Sequence, residues 1–300
     1  MNFFKLTRGL CSILVSAIFA SSVTSSYAEV VIIGQQNFES GSLPTDPGWG
    51  FGSQSGGTIS VSKDKSLNYN GSAGSIKATY PNTPGDMYVW GGVDVGALNL
   101  QDVYVEFWAK LPTAKKHGVK FLKVFGQRSG TNYANSTFAL DYTGVDIGAM
   151  YCVGFGDGTT VENDVQNVIL FDSTYPNYVG RSYGKAVVST PQKKMWASSS
   201  WGTDWHHFRF RVKFNSGTTK ATEVADGAYY VEIDDKVYVD AKNIFNRHYS
   251  NLPIQKIQFF DWSQGANGPF ELWYDDIKIT TGGFDDRKPA PPTQPKLIIK

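Results

Sequence analysis

The chain has 300 residues, of which 18% are charged and 14% are aromatic, with 31 glycines. Its 28 basic and 27 acidic residues almost cancel, which excludes the strongly basic surface of a nucleic-acid-binding protein. Abundant aromatic residues with modest charge favour an exported all-β domain, because aromatic rings build the cores of β-sandwiches. The same composition also suits sugar binding, for which aromatic rings supply contact surface.

The N-terminus predicts a secretory signal peptide that spans residues 1–28. Lys5 and Arg8 precede the apolar run Leu10–Ala20, and small residues lead to Ala28, after which we expect cleavage. The apolar run is too short to cross a membrane of about 30 Å. The protein is therefore predicted to be secreted or periplasmic, without a membrane span.

Cleavage would leave Cys152 as the only cysteine, since Cys11 belongs to the signal. No disulfide partner is therefore evident, and the hydrophobic core must stabilise the roughly 250 remaining residues. No activating residues surround Cys152 in the sequence, so we expect its side chain to be buried and unreactive.

The first half of the mature chain predicts a series of strands separated by turns. Short strands are expected first, and longer ones follow: Val30–Ile33, Ile59–Ser62, Gly74–Tyr80, Met87–Val95, Val103–Lys110, Val119–Phe125, Thr137–Tyr142 and Gly148–Val153. Between Gly154 and Ser200 the periodicity fades, which is typical of a long loop with a function of its own.

The clearest element is Trp205–Phe214, in which the side chains alternate strictly. One side carries His206, Phe208, Phe210, Val212 and Phe214, and the other carries His207, Arg209, Arg211 and Lys213. This period of two predicts a strand with one face in a core. We expect His206 to face that core, and an anionic or hydrogen-bonding neighbour to lie over the basic side.

The last part of the chain predicts a hairpin, two more strands and a tail. Ala228–Ile233 and Lys236–Val239 form the hairpin, closed by Asp234–Asp235. The strands are Ile254–Trp262 and Phe270–Thr280, and Asp240–His248 is expected to make one or two helical turns. Residues 282–300 contain four prolines and predict an extended tail. About a dozen strands in a single domain, residues 29–281, indicate a β-sandwich or jelly roll.

Four segments in this order resemble the concanavalin A-like jelly-roll superfamily, with its laminin-G-like, polysaccharide-lyase-like and carbohydrate-binding domains. They are Asn37–Gly41, Trp205–Phe208, Asp226–Val237 and Leu272–Ile279. Asp235 stands where the hairpin turn usually has glycine. The resemblance implies a concanavalin A-like jelly-roll β-sandwich of two antiparallel sheets that recognises a polysaccharide.

The resemblance also implies a structural Ca²⁺ site between the first and last strands. Glu39, Asp275 and Asp276 stand at the matching positions, where an acidic residue of the first strand meets an aspartate of the last. Calcium needs six to eight oxygen ligands, so backbone carbonyls and water would complete the shell. The alternative is a solvated acidic turn in which Glu39 is only hydrogen-bonded.

Sugar binding needs aromatic faces for stacking and polar side chains for the hydroxyl groups. We predict this surface on the polar sides of two strands, from Tyr104, Glu106, Trp108, His207, Arg209 and Arg211. The alternative is an ordinary wet face on which the strands pair laterally with Tyr230, Glu232 and Asp234. For each of Trp90, Trp108, Trp262 and Trp273 taken singly, we expect packing in the core.

Whether the protein is an enzyme stays open at this point. The glycosidase motif of this fold, Glu-x-Asp-x-x-Glu, is absent. A lyase acting on a uronic-acid-containing polysaccharide needs cations for the carboxylate and a group that moves a proton. Its candidate residues are His207, Arg209, Arg211, Lys123 and Tyr104. A structural or adhesive surface protein is the second alternative.

Overall fold

The computed structural model describes residues 29–81, 85–110, 119–126, 136–142, 146–154, 166–170, 181–182, 185–186, 196–197, 204–217, 222, 224–244, 253–260, 262–264 and 269–285. Several predictions lie outside this range. They concern the predicted signal peptide, most of residues 154–200, the side chains of Cys152 and Trp262, and the tail after Asp285. Within it, no helix is long and apolar enough to cross a membrane.

The described residues form strands and two short 3₁₀ turns, Tyr69–Gly71 and Gly96–Leu98. In chain order the first strands are β1 (Val31–Gln36), β2 (Trp49–Gln54), β3 (Thr58–Ser62), β4 (Ser75–Tyr80), β5 (Asp86–Asp94), β6 (Asp102–Lys110), β7 (Val119–Gly126), β8 (Ser136–Tyr142), β9 (Asp146–Gly154) and β10 (Gln166–Leu170). The others are β11 (Arg181–Ser182), β12 (Lys185–Ala186), β13 (Trp196–Ala197), β14 (His206–Lys213), β15 (Gly227–Ile233), β16 (Lys236–Ile244), β17 (Ile254–Phe259), β18 (Trp262–Gln264) and β19 (Phe270–Thr281).

These strands form two large antiparallel sheets, which confirms the predicted β-sandwich. Sheet A has the order β16-β15-β14-β6-β19-β4-β3, with β1 beside β19. Sheet B has the order β10-β9-β8-β7-β17-β5-β18, with β2 beside β5 and β13 beside β9. The first and last strands of the domain are therefore neighbours, as the resemblance implied.

The core lies between the sheets and is built by side chains at every second position. On β6 the burial alternates strictly, and the phenylalanines of β14 are likewise fully buried. Phe107 of sheet A packs 5.6 Å from Phe259 of sheet B, measured between ring centroids. It also lies 5.0 Å from Tyr274. Burying each such ring contributes about 1.5–3 kcal/mol to stability.

The hairpin of β15 and β16 is confirmed, and its turn consists of Asp234 and Asp235 with φ values of 50° and 61°. Two positive φ angles define the type I′ turn that suits adjacent antiparallel strands. The predicted helix at Asp240–His248 is wrong where the structure describes it. There β16 continues to Ile244 because its backbone pairs with β15, and Asp240 lies opposite Tyr230.

Two further predictions are refined by the structure. The strand expected at Ile254–Trp262 is divided into β17 and β18 near Phe260, which has a positive φ of 57°. His206 lies at the margin of the core, where its Nδ1 is 2.7 Å from Oδ2 of Asp234 and its side chain is 12% exposed. The second aspartate of the turn, Asp235, is exposed.

Replacing Asp235 with glycine should raise the free energy of unfolding by up to about 1 kcal/mol. Glycine adopts positive φ without the strain of a β-carbon, which costs about 1–2 kcal/mol and is partly offset by the larger entropy of the unfolded chain. Asp235→Ala is the matched control and should be less stable than the glycine variant. Urea denaturation measures both, and a glycine variant less stable than the alanine variant would contradict the turn assignment.

Candidate functional site

The structure brings the six predicted ligand-binding residues together on the outer face of sheet A. We call this surface the ladder face, and it comprises Tyr104, Glu106, Trp108, His207, Arg209, Arg211, Tyr230 and Glu232. The register places His207 opposite Trp108 and Arg209 between Glu106 and Glu232. The predicted lateral pairing with β15 is therefore confirmed.

The charges of the ladder face pair across the strands. Arg209 lies 3.2 Å from Glu232 and 3.6 Å from Glu106, and these side chains are 10–20% exposed. His207 Nε2 lies 3.3 Å from Glu106. Arg211 donates two hydrogen bonds to Asp102, at 3.0 and 2.7 Å, and this hydrogen bonding raises its pKa. Such a forked pair is the strongest geometry for a guanidinium and a carboxylate.

The aromatic rings of the ladder face are also covered by protein. Trp108 stacks on Tyr69 at 4.3 Å and on His207 at 4.8 Å, measured between centroids. Trp205 meets Tyr69 edge-on and donates its indole hydrogen to the Leu67 carbonyl. The loop before β4 therefore occupies the stacking surface that a sugar would need.

A second cover comes from the residues that follow β19, here called the strap (Gly282–Asp285). Gly282 has a φ of 79°, which helps reverse the chain after β19. The Phe284 ring centroid then lies 4.1 Å from the guanidinium carbon of Arg209, with the rings of Tyr104 and Tyr230 at 5.0 and 5.7 Å. Asp285 is buried and lies 3.5 Å from Lys278.

These contacts favour the alternative in which the ladder face is structural, and ligand binding by its residues stays a prediction. The candidate lyase residues do not share one site. Four of them belong to the ladder face, whereas Lys123 lies on β7 of sheet B. A catalytic group built from all five is therefore not present in this fold.

The predicted calcium ligands lie in one acidic cluster, defined as Glu39, Asp275 and Asp276. Asp275 is 1% exposed, and its Oδ2 accepts hydrogen bonds from Ser72 and Ser75 at 2.8 and 2.6 Å. Burial raises the pKa of Asp275 to about 7. Burial also raises the pKa of Asp276, and the charge of nearby Glu39 raises it further.

The donor set of this cluster matches calcium in chemistry. Glu39 accepts a hydrogen bond from the Ala73 amide, next to Ser72. Asn68 is 5% exposed and donates its amide hydrogens to the carbonyls of Ser62 and Ser72, while its own Oδ1 is buried without a hydrogen-bond partner. However, within the described residues no three His, Cys, Asp or Glu side chains converge in a metal-binding geometry.

The outer face of sheet B presents a different surface, which we call the platform face. It comprises Trp90, Lys123, Lys256 and Gln258 over Gly50, Gly52 and Gly92. A Cβ atom at Gly52 would lie 2.7 Å from Trp90 ring atoms, and one at Gly50 would lie 3.3 Å away. The indole therefore lies directly against the backbone of β2. The predicted core packing of Trp90 is therefore wrong, as it is for Trp108 on the ladder face.

One row of the register crosses the platform face through Lys123, Gln258, Gly92 and Gly50. Four strands at about 4.8 Å spacing give this row a length of roughly 14 Å. A Cβ atom at Gly92 would lie 2.3 Å from the Ile257 carbonyl oxygen, so only glycine fits at this position of the row. Gln258 is 8% exposed, although it points away from the core.

Lysines lie over both aromatic rings near this row. The Lys256 ammonium is 4.3 Å from the centroid of Trp90, and the Lys123 ammonium is 5.4 Å from that of Phe125. Lys256 and Phe125 are direct neighbours in the register, so the two lysine–aromatic pairs are adjacent. The platform face thus combines lysine side chains, aromatic rings and glycines on which the Trp90 ring lies.

Among the side chains of the platform face, the sequence analysis predicted a functional role only for Lys123. A usable signal was present in Trp49-Gly50-Phe51-Gly52, where aromatic residues and glycines alternate. Because side chains alternate between the faces of a strand, the aromatics pack toward the core and the glycines leave space on the outer face for the Trp90 ring.

No protein-family model matches the chain, and no curated protein matches it by sequence. Among solved structures, it is similar to an endo-β-1,4-glucuronan lyase from the fungus Trichoderma reesei, with a TM-score of 0.54 and 12% identity over 83% of this chain and 95% of that one. It is also similar to alginate lyase vAL-1 from a Chlorella virus, with a TM-score of 0.49 and 13% identity over 83% and 99%. The similarity agrees with the two antiparallel sheets of the chain and confirms the predicted jelly-roll β-sandwich as its fold.

Replacing Arg209 with alanine should lower the free energy of unfolding by about 2–4 kcal/mol, because Glu106 and Glu232 would lose a largely buried counter-charge. Lys242→Ala is the control, since the Lys242–Asp240 pair is 62% and 46% exposed and should contribute less than about 0.5 kcal/mol. Urea denaturation measures both variants. An Arg209 variant of normal stability that no longer binds polysaccharide would restore the ligand-binding role of the ladder face.

Proposed function

We propose that the protein binds a polysaccharide on the platform face. The observation that carries the proposal is the Trp90 ring, held flat on two glycines and flanked by Lys256. A ring fixed in this way stacks on a sugar with little loss of conformational entropy. Gly92, next to Gly50 in the register, adds no side chain that would obstruct the rest of the polysaccharide.

Polar groups near the ring suit the hydroxyl and carboxylate groups of a sugar. Lys123, Lys256 and Gln258 bring two ammonium groups and one amide to this face of the sheet. Sugar sites combine a few such groups with aromatic surface. The glucuronan lyase with a similar fold acts on a polysaccharide, which supports the same class of ligand here.

A polysaccharide lyase is the alternative, and the register of sheet B supplies the observation that favours it. Lys123 lies opposite Ala139, which lies opposite Tyr151, so a lysine and a tyrosine occupy one row two strands apart. In this reaction a base removes the proton beside the uronate carboxylate. The bond to the neighbouring sugar oxygen then breaks, and a carbon–carbon double bond forms. A lysine neutralises the carboxylate, and a tyrosine moves the proton.

Trp90→Ala should weaken polysaccharide binding on the order of tenfold or more, equivalent to about 1.4 kcal/mol, because the stacking surface is lost. Affinity electrophoresis on gels containing uronic-acid or neutral polysaccharides measures the change. Tyr104→Phe, on the ladder face, is the control and should bind normally.

The same samples distinguish the three functions. Absorbance from unsaturated sugar ends would establish the lyase, and retarded migration without such ends would establish a binding protein. Absence of both, together with adhesion to cells or matrix, would support the structural or adhesive alternative. Normal binding by the Trp90 variant would overturn the assignment of the platform face.

We also propose that the acidic cluster binds one structural Ca²⁺. Asp275, Asp276, Glu39 and the Asn68 amide oxygen would be its protein ligands. The supporting observations are the raised pKa values of both aspartates and the unpartnered Asn68 oxygen. Bound calcium would connect the first and last strands with the loop before β4, a structural role.

Stability in the absence of calcium should fall as the pH rises from about 4 to about 7. The fold raises the pKa of Asp275 to about 7. The unfolded carboxyl has a pKa near 3.9, so the folded protein holds the proton over this window and stability declines with pH. Bound calcium should abolish this decline in stability, because its positive charge compensates the negative charge of the Asp275 carboxylate.

Thermal unfolding in EDTA and in calcium, at pH 5 and pH 7.5, measures this effect. Asp275→Asn keeps an oxygen for Ser72 and Ser75, and it should show neither this part of the pH dependence nor the response to calcium. An unchanged melting temperature in calcium at pH 7.5 would contradict the metal site.

A further inference from the structure

We infer that the free edge of β1 is a dimer interface, at which a second copy of this chain adds its own β1 as an antiparallel strand. Among the described strands β1 pairs only with β19, so about half of its N–H and C=O groups point away from that partner. Within the described residues, no other backbone group bonds to them. Such groups along an edge strand are a template for a further strand.

The first half of β1 is exposed on both faces of the sheet. Val31 is 48% exposed and Ile32 is 39% exposed. They lie opposite Thr281 and Thr280 without a shift of register, so the two side chains point to opposite faces. The fold itself therefore covers neither side chain, and both are available to an added strand.

A β-bulge divides this open half of β1 from the other half. The register with β19 shifts between Ile32 and Gly34, so Ile33 is the extra residue. Bulges often protect an edge by twisting it, but this one follows the exposed pair of aliphatic residues. Beyond it, Gln36 donates a hydrogen bond to Asp46 at 2.7 Å, and Ile33 itself packs against the core. The strand is thus held at its second half and open at its first.

The composition of the edge favours a second copy of the chain over a charged partner. Residues 30–36 comprise four β-branched residues, a glycine and two glutamines, without charge or proline. Segments of this kind pair readily with identical segments. A two-fold axis near Ile32 would bring the exposed aliphatic pairs of both copies together, and cross-strand pairs of β-branched residues stabilise antiparallel strands. With 28 basic and 27 acidic residues, net charge does not keep two copies apart.

The other two edges of sheet A are protected by their side chains. Strand β16 carries an exposed ion pair of Lys242 and Asp240, and charges on an edge oppose the addition of a strand. On β3, Ile59 and Val61 pack against the core. Val237 of β16 is 49% exposed, much like the aliphatic pair of β1. The absence of charge, more than aliphatic exposure, therefore distinguishes β1 from β16.

The proposed interface is small, so we expect a weak and reversible dimer. A ladder of about five or six residues buries less surface than the roughly 1,200–2,000 Å² of a standard interface, which suggests a dissociation constant on the order of tens of micromolar. Sedimentation velocity measures the change from monomer to dimer between about 1 and 300 µM protein, since association follows mass action. The N-terminus of the purified protein is determined by mass spectrometry. Strand β1 shares no residue with the platform face, so the test does not depend on polysaccharide binding.

Three lysine variants locate the interface. Ile32→Lys should weaken the dimer at least about tenfold, because a lysine on an edge strand opposes pairing. Val31→Lys changes the other face of the same strand and should have the same effect. Val237→Lys is the matched control, since it places the same charge at a similarly exposed aliphatic position of β16. It should dimerise like the wild-type protein.

Amide hydrogen exchange reports on the edge itself. In the wild-type protein, the β1 amides that point away from β19 should exchange at least about fivefold more slowly at the high protein concentration than at the low one. The β1 variants should show no such difference. Thermal unfolding shows whether each variant is folded, and if a β1 variant is not, exchange in the wild-type protein decides alone.

Three results would overturn the inference. The first is a wild-type protein that stays monomeric over the whole range of concentration. The second is a dimer that persists in both folded β1 variants or disappears in the Val237 variant, because association would then use another surface. The third is a dimer whose formation leaves the exchange of the β1 amides unchanged.

Discussion

The alternation of β6 and β14 is the constraint on which the rest of the structure depends. Phe107, Phe208 and Phe210 enter the core at every second position, so the intervening charged residues must share the outer face. Charges held side by side on neighbouring strands are stable only when their signs alternate. Arg209 between Glu106 and Glu232 satisfies this condition, and the strap then covers the guanidinium with Phe284. The outer face of sheet A around Arg209 is thereby covered by the protein's own side chains.

Local patterns predicted the elements whose information lies within a few residues. The period of two in β14 and the paired aspartates of the hairpin turn each determine their own backbone, and both are confirmed. The neighbours of β14 could not be predicted from a local pattern, because β6 lies about a hundred residues earlier in the chain. The sequence therefore showed the basic side of β14 without showing that Glu106 and Glu232 would lie against Arg209.

The residues of the candidate sites likewise divide into those that the sequence indicated and those that it did not. Resemblance to known jelly rolls indicated that Glu39 would approach Asp275, since the first and last strands of that fold are neighbours. No pattern indicated Ser72 or Ser75, which donate hydrogen bonds to Asp275 from about 200 residues earlier in the chain, or Asn68, which donates to the Ser72 carbonyl. On sheet B, the prediction for Trp90 considered one residue by itself. Its position follows instead from Gly52, its partner across the strand pair.

The two lysine–tryptophan arrangements show why the backbone, more than residue type, determines which surface can bind a ligand. Trp273 has Lys77 and Lys110 beside it, and Lys77 also pairs with Glu271 at 3.0 Å. Long side chains on both neighbouring strands bury that ring. Trp90 has Gly52 as its neighbour across the strand pair, so its ring lies on the β2 backbone and not between two long side chains, and it is only partly buried. A tryptophan beside lysine is therefore enclosed on sheet A and less buried on sheet B, and the glycines of β2 make the difference.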